Sequence, residues 1–271
     1  MIARPSLRRS GLVLALGLAL AALPPAALAA ERGDWCREDG WNDRPSHCEV
    51  REVTLPAGPD AVAVDAAPNG GIDVEGWDRA QVRVLAKVTA RGDSEEDAKA
   101  LASQVRIETA GGRIHAEGPS TRSRRSWWVS YRLSVPEGVR LSLSTLNGGV
   151  SLRDVSGAID LKTVNGGVRI DRAAGHVTGR TQNGGIDVRL EGTEWQGEGL
   201  DLETSNGGVK LEVPEGYNAQ LETGTVNGGM DLDFPVTVQG RVQKRINVTL
   251  GRGGAPIRAV TTNGGIKVRR P

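Results

Sequence analysis

Three histidines, two cysteines, a few carboxylates and one arginine-tryptophan cluster are the groups in this sequence that could do chemistry. His47, His115 and His176 are the imidazoles, and none lies in a nucleophile motif such as Gly-x-Ser-x-Gly. A Ser-His-Asp triad would have to assemble from distant positions, so a surface or turn role is the simpler reading. Cys36 and Cys48 lie close together near the N-terminus. An even pair in an oxidising compartment is read as a disulfide. It would close a small loop holding Trp41 and Pro45 and contribute about 2–3 kcal/mol through chain entropy. The alternative, a metal site made with His47, lacks a fourth ligand and any Cys-x-x-Cys spacing.

Asp73, Asp187, Asp231 and Glu212 fall at related places in a repeat. Aligned in a stack, such carboxylates could bind calcium or cleave a polysaccharide. Arg169, Lys210 and Lys267 interrupt the series, which is the mixed-sign pattern of a solvated face. The calcium-binding Gly-Gly-x-Gly-x-Asp nonapeptide is absent. The segment holding Arg122, Arg124, Arg125, Trp127 and Trp128 is the candidate partner patch. Basic groups beside paired indoles can bind anionic glycans, lipid headgroups or a protein. The plainer alternative has one indole packed under the loop and the arginines hydrated. No catalytic residue, metal ligand or cofactor site is expected.

The elements that must position these groups come from a repeat. Asn-Gly-Gly begins at Asn69, Asn147, Asn165, Asn183, Asn206, Asn227 and Asn263. Spacings from Asn147 onward are 18, 18, 23, 21 and 36, the last twice the basic period. Each triplet precedes an alternating segment such as Val168/Ile170, and most follow one such as Ile159/Leu161/Thr163. Period-two alternation predicts strands with one apolar face. Asn-Gly is read as a supplier of positive φ for a tight corner. Thr two places before Asn suits a strand end, and its hydroxyl can bond into the turn. Gly157, Gly175 and Gly192 mark a second turn.

Two architectures fit. In a β-solenoid each unit is a rung, and the asparagines can form an internal ladder. In a meandering sandwich each unit is a hairpin. The repeated 18-residue spacing favours the solenoid, because rung length must recur for stacking. One Phe, two Tyr and 37 Gly imply a thin core of Val, Leu and Ile rather than an aromatic one. In the less regular N-terminal half, residues 93–102 predict a short helix with acids in its first turn, capped by Asp93 or Ser94. The fold class expected is all-β, a single-stranded β-helix or solenoid-like stack of Asn-Gly-Gly repeats with that one helix.

The set of motifs resembles the bacterial "putative adhesin" family of exported β-strand-repeat domains with tandem T-x-N-G-G-h-x-h units. It is carried by APNGGIDVEGWDRAQVRV (Ala67 to Val84), SYRLSVPEGVRLSLSTLNGGVSLRDVSG (Ser130 to Gly157) and the terminal TTNGGIKV. The resemblance covers roughly residues 50–270. It implies a β-helix-like fold, an envelope or extracellular location and no established catalytic residues.

The N-terminus fits export. Arg4, Arg8 and Arg9 precede an apolar run from Leu12 to Leu23, then Pro24-Pro25 and the cleavage-site pattern Ala27-Leu28-Ala29. The run is well short of the roughly 20 residues of a transmembrane helix. The organisation expected is a signal peptide at 1–29, a disulfide-closed segment at 30–50 and a β-repeat domain at 51–271. Without the leader, 31 basic residues face 33 acidic ones, a formal charge of −2. That balance argues against nucleic acid, which favours a clear basic excess. The function expected is an exported, non-catalytic binding or structural protein, periplasmic or secreted, that meets an envelope protein or glycan. The alternatives are a polysaccharide-acting β-helix enzyme and an envelope-stress or signalling accessory.

Overall fold

Alternating apolar residues make strands where the sequence predicts them, and the corner chemistry decides how those strands stack. The computed structural model describes residues 35–37, 44–55, 61–121, 124–233 and 244–271. The leader, Trp41 and Arg122 lie outside the described residues.

β1 (Ser46–Leu55) precedes β2 (Ala61–Asp65), and the first Asn-Gly-Gly carries β2 into β3 (Ile72–Trp77). An excursion follows through β4 (Val82–Arg91), helix α1 (Glu95–Ser103), β5 (Arg106–Glu108), β6 (Arg113–Glu117) and β7 (Ser126–Pro136). Then come corner-joined pairs. β8 (Arg140–Asn147) turns into β9 (Val150–Arg153), and β10 (Ser156–Asn165) into β11 (Val168–Asp171). β12 (Ala174–Asn183) turns into β13 (Ile186–Arg189), and β14 (Gly199–Asn206) into β15 (Val209–Glu212). β16 (Ala219–Asn227) leads to β17 (Met230–Leu232), β18 (Arg245–Leu250) stands alone, and β19 (Pro256–Asn263) turns into β20 (Ile266–Arg269).

The two strands of each pair enter different sheets. Sheet I runs β1-β4-β7-β3-β9-β11-β13-β15-β20-β17, and sheet II runs β18-β16-β19-β14-β12-β10-β8-β2-β6-β5. The result is all-β and solenoid-like. The sheets are mixed rather than uniformly parallel: β1, β4 and β7 pair antiparallel at one end, as do β5/β6 and β16/β18. Inward residues such as Val168, Ile170, Ile159 and Leu161 are almost wholly buried between the sheets. Each such side chain contributes about 1.5–3 kcal/mol.

The order of rungs departs from chain order. The 36-residue interval before Asn263 reads as two periods, yet its described residues add no further corner-joined rung. It contains β18, which pairs antiparallel with β16 and closes that edge of sheet II. The chain reverses through Gly251, Gly253 and Gly254, all at positive φ. β19 and β20 then slot between the β14/β15 and β16/β17 rungs.

The asparagines form one continuous ladder in spatial order. Nδ2 of Asn147 donates to Oδ1 of Asn69, and Asn165, Asn183, Asn206, Asn263 and Asn227 each donate to the one before, at 2.7–2.9 Å. The ladder lies on the exposed edge rather than inside, because the inward position at the corner belongs to threonine. Thr145, Thr163, Thr181, Thr204, Thr261 and Thr225 are buried. Each donates its hydroxyl to the carbonyl of the first glycine in the neighbouring rung at 2.7–2.9 Å.

The expected role of glycine is corrected. No glycine of the triplets has a left-handed φ. The first glycine is needed because rungs approach too closely for a side chain: a Cβ on Gly166 would lie 1.9 Å from the Gly148 carbonyl oxygen. Positive φ belongs to the second turn, at Gly157, Gly175 and Gly192, and at Asp154 and Arg172.

α1 starts at Ser94, whose hydroxyl accepts from the Asp97 amide at 3.1 Å. Ala98, Leu101 and Ala102 face inward and cover the core beside β1 and β4. Arg51 donates to the Ala102 carbonyl at 2.8 Å and to the Val105 carbonyl, which satisfies the end of the helix.

Gly166→Ala should destabilise by about 3 kcal/mol or more, since backbone must move. Gly167→Ala meets only a 3.3 Å contact with the Gly185 oxygen and should cost far less. Asn183→Ala removes two ladder bonds at a wet edge and should cost about 1–2 kcal/mol. Urea denaturation of the three variants checks this ranking, and equal stability of the two glycine variants would refute the close-approach account.

Candidate functional site

The outer face of sheet I is built by the residue after the first inward position of each strand. Pairing register aligns Arg132, Asp73, Ser151, Arg169, Asp187, Lys210, Lys267 and Asp231 across eight strands. The carboxylates are therefore dispersed among cations. Asp73 lies 3.8 Å from Arg132, Asp187 4.0 Å from Lys210, and Asp231 4.0 Å from Arg269. Glu212 sits one row on and accepts from Lys210 at 2.5 Å and Arg189 at 2.8 Å. Those two bonds, Lys210 first, hold the Glu212 carboxyl below the usual carboxylate range. No group of three His, Cys, Asp or Glu side chains among the described residues could hold a metal ion.

A trough of about 800 Å³ runs across this face, perpendicular to the strands. Its floor is the second glycine of six triplets, from Gly71 to Gly265. Six strands at the usual spacing make it about 24 Å long. Asp73, Ser151, Arg169, Asp187, Lys210 and Lys267 form its wall. Arg169 and Lys267 are exposed and have no ion-pair partner among the described residues. The sequence reading placed Asp73, Asp187, Lys210 and Lys267 on this face but did not see that the glycines open a channel beside them.

The Arg122–Trp128 segment is divided by strand parity. Trp127 points inward, packs against the core and donates Nε1 to the Pro119 carbonyl at 2.8 Å. Trp128 points outward, with the Arg91 guanidinium 5.0 Å from its ring centre. Arg125 pairs with Asp97 of α1 at 3.0 Å, while Arg124 is exposed. The two indoles thus do not share one surface.

Cys36 and Cys48 are bonded, with Cα atoms 5.8 Å apart. The bond pins Trp35 onto the outer face of sheet I at the β7 end. There Arg132 lies 4.2 Å and Lys87 5.0 Å from the indole centre. Trp35 is 4% exposed and Lys87 5%. Sequence reasoning missed this clamp. Its signal was a lysine in the otherwise apolar run of β4, which needs a cover, and a tryptophan beside the cysteine.

The histidines approach nearby acids: His47 near Glu49, His115 near Glu117, and His176 near Glu198 across a rung, all at 3.4–3.5 Å. Tyr131 is fully buried with no hydrogen-bond partner for its hydroxyl among the described residues, and burial, aided by the Asp65 charge, pushes its pKa well up.

The Toastrack DUF4097 family model matches residues 49–269. The chain belongs to that family. This is the resemblance carried by the Asn-Gly-Gly motif set. No curated protein matches the chain. Among solved structures, the chain is similar to a "putative cell adhesion protein" from Clostridium sporogenes, with 10% identity, TM-score 0.44, and 82% of this chain and 100% of that one covered. It is similar to a "putative adhesin" from Bacteroides fragilis, at 12%, 0.44, 82% and 97%. A "putative lipid binding protein" from Parabacteroides distasonis follows at 14%, 0.36, 82% and 96%. No helix among the described residues of this Toastrack chain is long and apolar enough to cross a membrane.

Two measurements test the electrostatics and the clamp. Asp154 accepts two bonds from Arg172, at 2.7 and 2.9 Å, and like Glu212 has a lowered pKa, the Arg172 hydrogen bond being the largest cause. A depressed native pKa means the stabilisation is complete above the ordinary carboxylate value near 4 and is lost as pH falls through the lowered one. The drop in Tm between about pH 6 and about pH 3 should therefore be smaller in Asp154→Asn/Glu212→Gln than in wild type. Reducing the disulfide, or Cys36→Ser, should lower stability by about 2–3 kcal/mol and raise acrylamide quenching of Trp35. Unchanged quenching would mean that the bond does not hold the indole down.

Proposed function

We propose that this Toastrack domain is an exported, non-catalytic binding module of the bacterial envelope, meeting its partner along the trough of sheet I. The observation that carries this is the concave channel with two cations, Arg169 and Lys267, left without partners among the described residues. Charges in the rest of the wall are largely spent on each other, as in Asp187–Lys210 and Asp73–Arg132. Export is supported by the leader pattern at 1–29 and by the Cys36–Cys48 bond. We assign residues 30–50 to a disulfide-closed clamp and 51–271 to the repeat domain. The dispersal of carboxylates among cations supports binding over catalysis, because acid-base hydrolysis needs two carboxyl groups converging on one bond. A smaller second face is the segment with Arg124 and Trp128, where Arg91 lies over the Trp128 ring and Arg124 is exposed.

Co-sedimentation with a bacterial envelope fraction tests the assignment. Wild-type protein should sediment, and Ser151→Trp, which fills the trough, should abolish it. Arg180→Glu on the outer face of sheet II should leave it intact. Insensitivity to Ser151→Trp would overturn the trough assignment. Loss only in Arg124→Glu/Trp128→Ala would move the binding face to that segment.

A further inference from the structure

We infer that the trough takes a linear acidic polysaccharide laid across the rungs, with its carboxylates meeting Arg169 and Lys267. The inference rests on the trough being the binding face and adds the chemistry of its occupant.

Direction is the first constraint. The trough crosses the strands, and at its floor the glycine carbonyls already accept from the next rung, as Gly167 accepts from Val150 and Gly185 from Val168 at 2.9–3.0 Å. A polypeptide added by strand pairing would run parallel to the strands and need free backbone groups. Neither condition is met along this channel. An occupant must instead be a chain that needs no backbone ladder and can follow a straight channel about 24 Å long.

Charge is the second. Arg169 on β11 and Lys267 on β20 are three strand spacings apart, about 14 Å. Between them lie Asp187 and Lys210, which engage each other at 4.0 Å. Toward the clamped end the wall offers Ser151 and then Asp73. Single-stranded nucleic acid carries a phosphate on every nucleotide, much closer together than the two cations, so it would force anions against both aspartates. A polymer with widely spaced carboxylates and hydroxyls between them meets each group suitably. Its acids pair with the two free cations, and its hydroxyls donate to Asp73, Asp187 and Ser151. The glycine floor, free of side chains, leaves room for a sugar ring to lie flat against the backbone.

The test is calorimetric titration of the full-length protein with hyaluronate oligomers, whose carboxylates fall only on alternate sugars, using dextran as the uncharged control and single-stranded DNA as the dense polyanion. Hyaluronate should bind and the other two should not. Arg169→Gln and Lys267→Gln should each weaken binding about tenfold, the scale of one charge-assisted contact, while Arg180→Gln should not. No binding of hyaluronate, equal binding of DNA, or binding unchanged in the double variant Arg169→Gln/Lys267→Gln would overturn the inference. If that happens while envelope sedimentation still depends on Ser151, the ligand class is wrong and the trough stands. If Ser151→Trp also has no effect, the binding face itself is wrong.

Discussion

At every Asn-Gly-Gly corner the backbone of one rung passes so close to the next that a Cβ would sit about 2 Å from a carbonyl oxygen. Much else follows from that approach. It admits glycine alone at the first position, and it brings each first-glycine carbonyl within reach of the threonine hydroxyl of the adjoining rung. It also puts successive asparagines one strand spacing apart, where each amide can donate to one neighbour and accept from the other. A slip of one residue would break the threonine and asparagine bonds together and turn the inward leucines and valines to solvent. The corner therefore fixes register for both sheets at once.

Because each rung presents the same corner, any rung can stack on any other. The ladder holds the sequence order from Asn69 to Asn206 and then places Asn263 before Asn227 without losing a bond. What decides the order there is the end of the stack, where an antiparallel β18 closes the edge of sheet II. The opposite end is finished differently, with antiparallel β1 and β4, the inward face of α1, and the Trp35 clamp outside. A repeat with identical units needs such atypical ends, since its own edges would otherwise template further pairing.

That equivalence explains what could be read from the sequence. Strands, corners, the second-turn glycines and α1 were legible because each rests on local periodicity or capping within a few residues. Rung order was not, because the motif at Asn263 carries no information about which neighbour it meets. The role of the triplet glycines was misassigned for a related reason. Asn-Gly satisfies a left-handed turn as well as a close approach, and only the neighbouring chain distinguishes them. The opposed faces of Trp127 and Trp128 were legible in principle, since Val129, Tyr131 and Leu133 set the inward parity of β7. The Trp35 clamp depended on a contact across roughly 50 and 100 residues of sequence, to Lys87 and Arg132, which no local pattern reports.

The same constraint also limits where recognition can sit. Corner residues are committed: asparagine to its ladder, threonine to a carbonyl, the first glycine to a contact that no side chain fits. The second glycine sits beside them with no side chain, and its repetition opens the trough as a by-product of stacking. Since the trough arises from architecture, it can carry no specificity of its own. Discrimination must come from the outward positions that the stacking leaves unassigned, and across these the charges alternate because like charges on adjacent strands repel. Where alternation lapses, as at Lys210 beside Lys267 and at Ser151 beside Arg169, a cation is left over. Those lapses leave Arg169 and Lys267 without an ion pair among the described residues, their neighbouring aspartates being engaged by Lys210 and Arg269, so they are where a binding function can be distinguished from a scaffold.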